Sequence, residues 1–303
     1  MVEILGRRNA GRSLRAEIAL DGEAWRWTLT VGNTSLFNGN WATSVKREEK
    51  EAAPTTAWRE VCRFDDRQVH HREYERRLSG GIRHQRQVTL CPRDQLIVIA
   101  ETLLGQRVTS WHYETQLGLS PDVGVRSLGE TRELEVVIGD FGGVVLPLLL
   151  PEWKVPGQTP GLLHEEPHLT ARYATTGRGF FFPLCVAFWK QDGTSEADVR
   201  KVSSSPDLRR PSLTWRQLTV SECLRKVAPD EAVGFRIQVE NRQWLLYRSL
   251  TRPANRAVLG HNLISESLLA RFNPRGQVMP LVEVELDEES ESVNGQMDNT
   301  GTV

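Results

Sequence analysis

The sequence predicts an all-β protein, a large twisted antiparallel β-sandwich (supersandwich-like) with very little helix. Three observations carry that prediction. Apolar and polar residues alternate around turn-forming pairs. Such runs recur at spacings of roughly ten residues. No stretch carries the apolar stripe, repeating every three to four residues, of a packed helix.

"LRAEIALDGEAWRWTLTV" (residues 14–31) puts Leu14, Ala16, Ile18 and Leu20 before Asp21-Gly22, and Trp25, Trp27, Leu29 and Val31 after it. Period two about an Asp-Gly pair is the strongest short hairpin signal. "GGIRHQRQVTLCPRDQLIVIAETLLG" (80–105) reads as another hairpin, turning at 91–95. Its second strand is apolar enough to be central and buried on both faces. "VGFRIQVENRQWLLYRSL" turns at 240–243, and "SLLARFNPRGQVMPLVEVEL" turns at Asn273-Pro274-Arg275-Gly276, a type I pattern.

Two short helical pieces are expected: two turns over 44–52, stopped by Pro54, and one turn within 221–232 before Pro229. No crossover helices are found for a parallel α/β sheet. Prolines 147, 151, 156, 160 and 167 mark 144–167 as a long loop or edge excursion, and 190–213 reads as a surface loop. Residues 1–288 are expected to form one domain and 289–303 a disordered acidic tail.

The net charge of −1 over 303 residues argues against a protein that grips nucleic acid by bulk electrostatics. Arg far outnumbers Lys, and Arg is the better fork for carboxylate, sulfate or phosphate. Cys62, Cys91, Cys185 and Cys223 are too far apart for a C-x-x-C motif, sit beside apolar or β-type residues and read as buried free thiols. The first twenty residues lack a signal-peptide pattern. "VVLPLLLP" (144–151) is too short to span a bilayer. A soluble, cytoplasmic chain without membrane contact is therefore expected. "GDFGG" (139–143) has neither phosphate-loop nor dinucleotide spacing, no G-x-S-x-G occurs, and no cofactor is expected.

"HEEPH" (164–168) matches H-E-x-x-H in letters, but Pro167 and its strand-like flanks deny the helix that would aim both histidines at one zinc. His164, Glu165 and His168 are weak metal candidates at most, against the simpler reading of solvated loop residues. His70 and His71 are adjacent on a strand and face opposite ways, so they cannot share an ion. His84 and Arg86 share a face with Ile82, Val88 and Leu90, whereas Arg83 and Gln85 point away. The simpler reading of this pair is the polar margin of a sheet; the functional one is a basic grip. Trp111 and Tyr113 share one face, with His112 and Glu114 on the other. Such aromatics either stack on sugar rings or fill a sandwich core.

"HQRQVTL", then "LIVIAETLLG", then "WHYETQLGLSPDV" resemble the C-terminal β-sandwich of heparinase II/III-like polysaccharide lyases. The counterparts are His84, Arg86 and Val88, then Ile97 to Glu101, then His112 to Pro121, within about 58–122. No helical toroid like the family's is expected within these 303 residues. Gly32 of "GNTSLFNG" stands where the family's His-Asn-Thr segment carries its histidine, so no lyase role transfers residue by residue.

The resemblance implies a non-catalytic module that binds carbohydrate or a protein partner, with Trp111, Tyr113 and Arg86 as ligand-binding candidates. The alternative is a working lyase on acidic glycans. It needs a base and a cation to hold the uronate, from among His84, Arg86, His112 and Tyr113. A third expectation is a structural or assembly protein. The sequence names no oligomeric state.

Overall fold

The computed structural model describes residues 2–5, 14–21, 24–155, 161–191, 211–252 and 254–285. The expected tail at 289–303 and most of the 190–213 loop lie outside these. One 14-stranded sheet is built from β1 (Val2–Leu5), β2 (Leu14–Asp21), β3 (Ala24–Val31), β4 (Thr34–Arg47), β5 (Lys50–Glu51), β6 (Arg59–Asp65), β7 (His70–Leu78), β8 (Ile82–Cys91), β9 (Leu96–Leu119), β10 (Gly124–Ser127), β11 (Leu134–Ile138), β12 (Phe141–Pro147), β13 (Leu162–Glu165) and β14 (His168–Lys190). A five-stranded sheet uses β15 (Leu213–Leu218), then β18 (Ala232–Val239), β19 (Arg242–Ser249), β22 (Ser267–Phe272) and β23 (Val278–Val284). A four-stranded sheet joins β16 (Val220–Glu222), β17 (Arg225–Lys226), β20 (Arg256–Val258) and β21 (His261–Leu263). The all-β antiparallel class and the four hairpins stand as expected.

β9 and β14 form the spine. They pair along nearly their whole length, with β8 beside the first part of β9 and β4 beside the last. The pairing breaks once, where Thr109 faces Gly177 but Leu104 already faces Gly179. Residues 105–108 thus oppose Arg178 alone, a bulge that turns a corner. At about 3.3 Å per residue, a straight strand would hold Glu101 and Tyr113 roughly 40 Å apart. Instead the Tyr113 hydroxyl donates to the Glu101 carboxylate at 2.7 Å. The sheet therefore folds over itself, and one apolar cluster joins Trp25, Trp41 and Val45 of the first strands to Ile97, Ile99 and Phe182 of the spine.

The covering of each strand explains its sequence pattern. "LIVIA" in β9 and "FFFPLCVAF" in β14 are apolar without alternation, because one face enters the elbow and the other meets the five-stranded sheet. Their far ends, "WHYETQL" and "HLTARYATT", alternate, because there the second face is open. The five-stranded sheet is covered twice: Trp244 and Leu246 pack on the spine, Leu245 and Tyr247 on the four-stranded sheet. The expected sandwich is thus a stack with more than two layers.

Arg83 and Gln85 do face away from His84. On that side Arg248, fully buried, donates to Glu73 (2.7 Å), Gln85 (2.7 Å) and Glu266 (2.9 Å). This polar seam joins the five-stranded sheet to β7 and β8.

Four expectations are corrected. Of the four cysteines expected to be buried, only Cys91 and Cys185 are; Cys62 is half-buried on β6 and Cys223 is exposed at a turn. Residues 44–52 form no helix: β4 continues to Arg47, and Glu48 and Glu49, both at positive φ, turn it into β5. Cys223 and Leu224 likewise turn β16 into β17 where one helical turn was expected. In both cases strand pairing offers the backbone partners that an isolated, stripe-free helix lacks. The segment 144–167 is not irregular throughout, since 144–147 is the buried end of β12 and 162–165 pairs with β14. Pro147 is tolerated because it lies beyond the last pair with β11.

The corner depends on a close approach. A Cβ on Gly179 would sit 2.2 Å from the Leu103 carbonyl oxygen. Gly179→Ala should cost about 1–3 kcal/mol in urea unfolding. Gly129→Ala, with open space around it, should be near neutral.

Candidate functional site

The elbow brings together three of the four residues singled out as catalytic candidates. His84 and Arg86, two apart on β8, project into the corner, where β9 supplies Glu101 before the bend and Tyr113 after it. His84 Nε2 lies 2.7 Å from Glu101 Oε1, and Arg86 Nε donates to the same oxygen at 2.9 Å. Thr43 donates to the carboxylate at 2.7 Å, and Trp41 Nε1, chiefly bonded to Thr115 at 2.9 Å, also reaches it at 3.3 Å. The Arg86 guanidinium carbon stands 4.6, 4.8 and 5.1 Å from the ring centres of Trp41, Trp58 and Trp25, an aromatic cage about a cation.

Burial alone would raise the Glu101 carboxyl, but the Arg86 charge and the His84 and Tyr113 hydrogen bonds outweigh it and hold the group well below the usual range. Burial lowers His84 to about 4 against the raising pull of Glu101. The geometry agrees with a neutral ring: Arg76 Nε donates to Nδ1 at 3.2 Å, so the proton sits on Nε2 and points at Glu101. Burial, then the neighbouring Glu101 charge, pushes the Tyr113 hydroxyl well above its ordinary value.

The arrangement is sealed. His84 is 0% and Arg86 1% exposed, and each polar group is spent on a neighbour. This corrects the readings of this pair as a basic grip or a wet sheet margin. It also corrects the ligand-binding reading of Arg86 and Trp111. Trp111 is buried, donates to the Gly177 carbonyl and packs on Phe180, so it offers no ring to a sugar. Glu101 was legible in principle, since one carboxylate inside an apolar run must find partners.

The fourth candidate, His112, lies on the other face, exposed, 3.0 Å from Glu49. There the open ends of three strands frame a groove of about 780 Å³. Strand register sets its floor: Lys46, His112 and Ala174 form one row, and Ser44, Glu114 and Arg172 the next. Glu49, Arg132, Leu150 and Pro151 edge it, and Tyr113 and Tyr173 also line it. Arg172 is held by Glu114 (2.6 Å) and Glu165 (2.9 Å). Lys46 is exposed, and its side chain makes no hydrogen bond or ion pair to the described residues. Sequence reasoning passed over Lys46 and Arg172, because their neighbourhood is created by pairing between distant strands.

The metal candidates do not assemble. His164 and Glu165 end β13 and His168 opens β14, with Glu165 opposite His168 and its carboxylate on Arg172. No group of three or more metal-capable side chains occurs among the described residues. His70 and His71 part as expected, to Asp65 and Thr89.

Glu101→Gln leaves the caged Arg86 without its counter-charge and should cost about 3–5 kcal/mol in urea unfolding. Tyr113→Phe removes one hydrogen bond to a charged acceptor and should cost about 1.5–3 kcal/mol. His71 and His84, both lowered by burial from 6.5 to about 4, should make stability pH-dependent. The unfolded chain binds these protons more readily, so stability is full above about pH 6.5 and falls as pH drops toward 4. A flatter profile in His71→Gln, followed by thermal melts, would carry that assignment.

No protein-family model matches the sequence, and no curated protein does. Among solved structures, a mutant of heparan sulfate lyase HepC from Pedobacter heparinus superposes with a TM-score of 0.52 at 9% identity, over 82% of this chain and 41% of that one. The same lyase without the mutation gives 0.50 at 9% identity, over 79% and 40%. The chain spans about two-fifths of the length of these structures. At that identity the likeness is one of fold: the chain resembles the C-terminal β-sandwich of heparinase II/III-like polysaccharide lyases.

Proposed function

We propose that the chain is a non-catalytic carbohydrate-binding module that takes an acidic glycan in the groove beside Lys46, His112 and Arg172. The observation that carries this reading is the contrast between the two faces of the same strands. Inside the elbow, His84, Arg86 and Tyr113 are buried and spent on Glu101. Outside it, Lys46 is unpaired at the floor of an open groove. Anionic groups are the natural complement of an unpaired ammonium beside an imidazole and a guanidinium. The fold likeness to a heparan sulfate lyase supports a glycan over other anions.

The groove's size falls within the range of about 300–1,000 Å³ typical of small-ligand sites, which suits a short oligosaccharide. His112 beside Lys46 also favours a second reading, a lyase in which the imidazole takes the proton α to a uronate carboxylate and Lys46 steadies the charge.

Calorimetric titration of the full chain with heparan sulfate and hyaluronan hexasaccharides tests both. Binding should weaken with salt, and Lys46→Ala should weaken it about ten-fold, as loss of a charged contact worth about 1.4 kcal/mol would. An absorbance assay for unsaturated product should stay silent. Product that disappears in His112→Ala would establish the lyase, and no binding to either glycan would sink the proposal.

A further inference from the structure

Trp153 is the exposed tryptophan of this protein, 58% accessible, while every other tryptophan is buried or half-buried. Its side chain makes no ring contact or hydrogen bond to the described residues. An indole left in water costs a soluble protein hydrophobic stabilisation, and such a ring is suited to a partner with an apolar face and polar rim.

Its backbone is held beside the groove. Trp153 lies two residues after Pro151, which edges the groove, and bridges Thr131, the neighbour of Arg132, which edges it too. Arg132 N–H donates to the Glu152 carbonyl at 3.0 Å and Lys154 N–H to the Glu130 carbonyl at 2.8 Å. The Lys154 ammonium donates to the Leu128 carbonyl, and the Glu152 carboxylate accepts from Thr214 at 2.9 Å. The segment is thus tied on one side to residues 127–132 and on the other to the five-stranded sheet, so little ordering would be needed on binding.

We infer that Trp153 is a stacking platform for a sugar ring at the rim of the groove. Its occupant is then an acidic saccharide of more than one unit, with a carboxylate or sulfate at Lys46 and an apolar ring face on Trp153. This rests on reading the groove as a glycan site. The pairing of cation and aromatic ring sets the ligand class. A neutral glycan forfeits Lys46, and a compact anion such as inorganic sulfate forfeits Trp153.

The test compares the full chain with Trp153→Ala and Trp153→Phe, using hyaluronan hexasaccharide, which offers carboxylates alone, and heparan sulfate hexasaccharide, which adds sulfates. Trp153→Ala should bind either glycan about ten-fold more weakly, in the upper range of aromatic contacts, and Trp153→Phe should keep most of the affinity. Tryptophan emission of the wild type should change on binding and that of Trp153→Ala should not. Equal affinity of Trp153→Ala and wild type, or an emission change that survives in Trp153→Ala, overturns the platform while leaving the groove intact. Failure of the wild type to bind either glycan removes the groove reading and the platform together. Should Trp153→Ala not fold, Trp153→Phe still decides: it should bind without the emission change, and an emission change that survives in it overturns the platform.

Discussion

A single buried carboxylate organises this protein. Glu101 sits in an apolar strand, 1% exposed, where an unpaired charge would cost several kcal/mol. It is tolerated because every lone pair is met: by His84 and Arg86 from the neighbouring strand, by Thr43 and Trp41 from the first hairpins, and by Tyr113 from the far end of its own strand. Those partners come from both sides of the corner in β9. The network is satisfied only when the sheet has folded over, so its chemistry and the topology demand each other. Such networks lend specificity more readily than stability, since a half-satisfied version is worse than none.

The same corner divides the spine into two regimes. Before it, β9 is covered on both faces and its sequence is apolar without alternation. After it, one face stays in the elbow while the other is left uncovered by the five-stranded sheet. That uncovered face is where polar residues from β4, β9 and β14 come into register as a groove. The buried hub and the surface groove are thus two sides of adjacent positions: Tyr113 turns inward to Glu101, His112 and Glu114 turn outward. A strand's alternation, ordinarily a device for separating core from solvent, here separates a structural charge network from an open surface.

This division accounts for how the functional candidates fared. His84 and Arg86 look reactive as letters because His and Arg are common in active sites. Their environment makes them architecture: a neutral imidazole with both nitrogens engaged and a guanidinium boxed by three indoles. The surface residues are less conspicuous in the sequence. Lys46 lies in a charged run that reads as a solvated helix, and Trp153 lies between prolines in a stretch that reads as loop.

The sequence by itself determined the all-β class, the hairpins and their turns, and which face of each strand each residue takes. These follow from local period and turn chemistry, which need no distant partner. It also carried enough pattern around His84, Arg86, Glu101 and His112 to place the chain beside the lyase sandwiches in fold. Tertiary structure alone decided that β9 bends at residues 105–108, that five residues distant in the chain close on Glu101, and that Lys46, His112 and Arg172 share one floor. Strand propensity is blind to a bulge, and burial is set by what covers a face. Residues up to about 126 positions apart, as Lys46 and Arg172 are, meet only through the register of the strands between them.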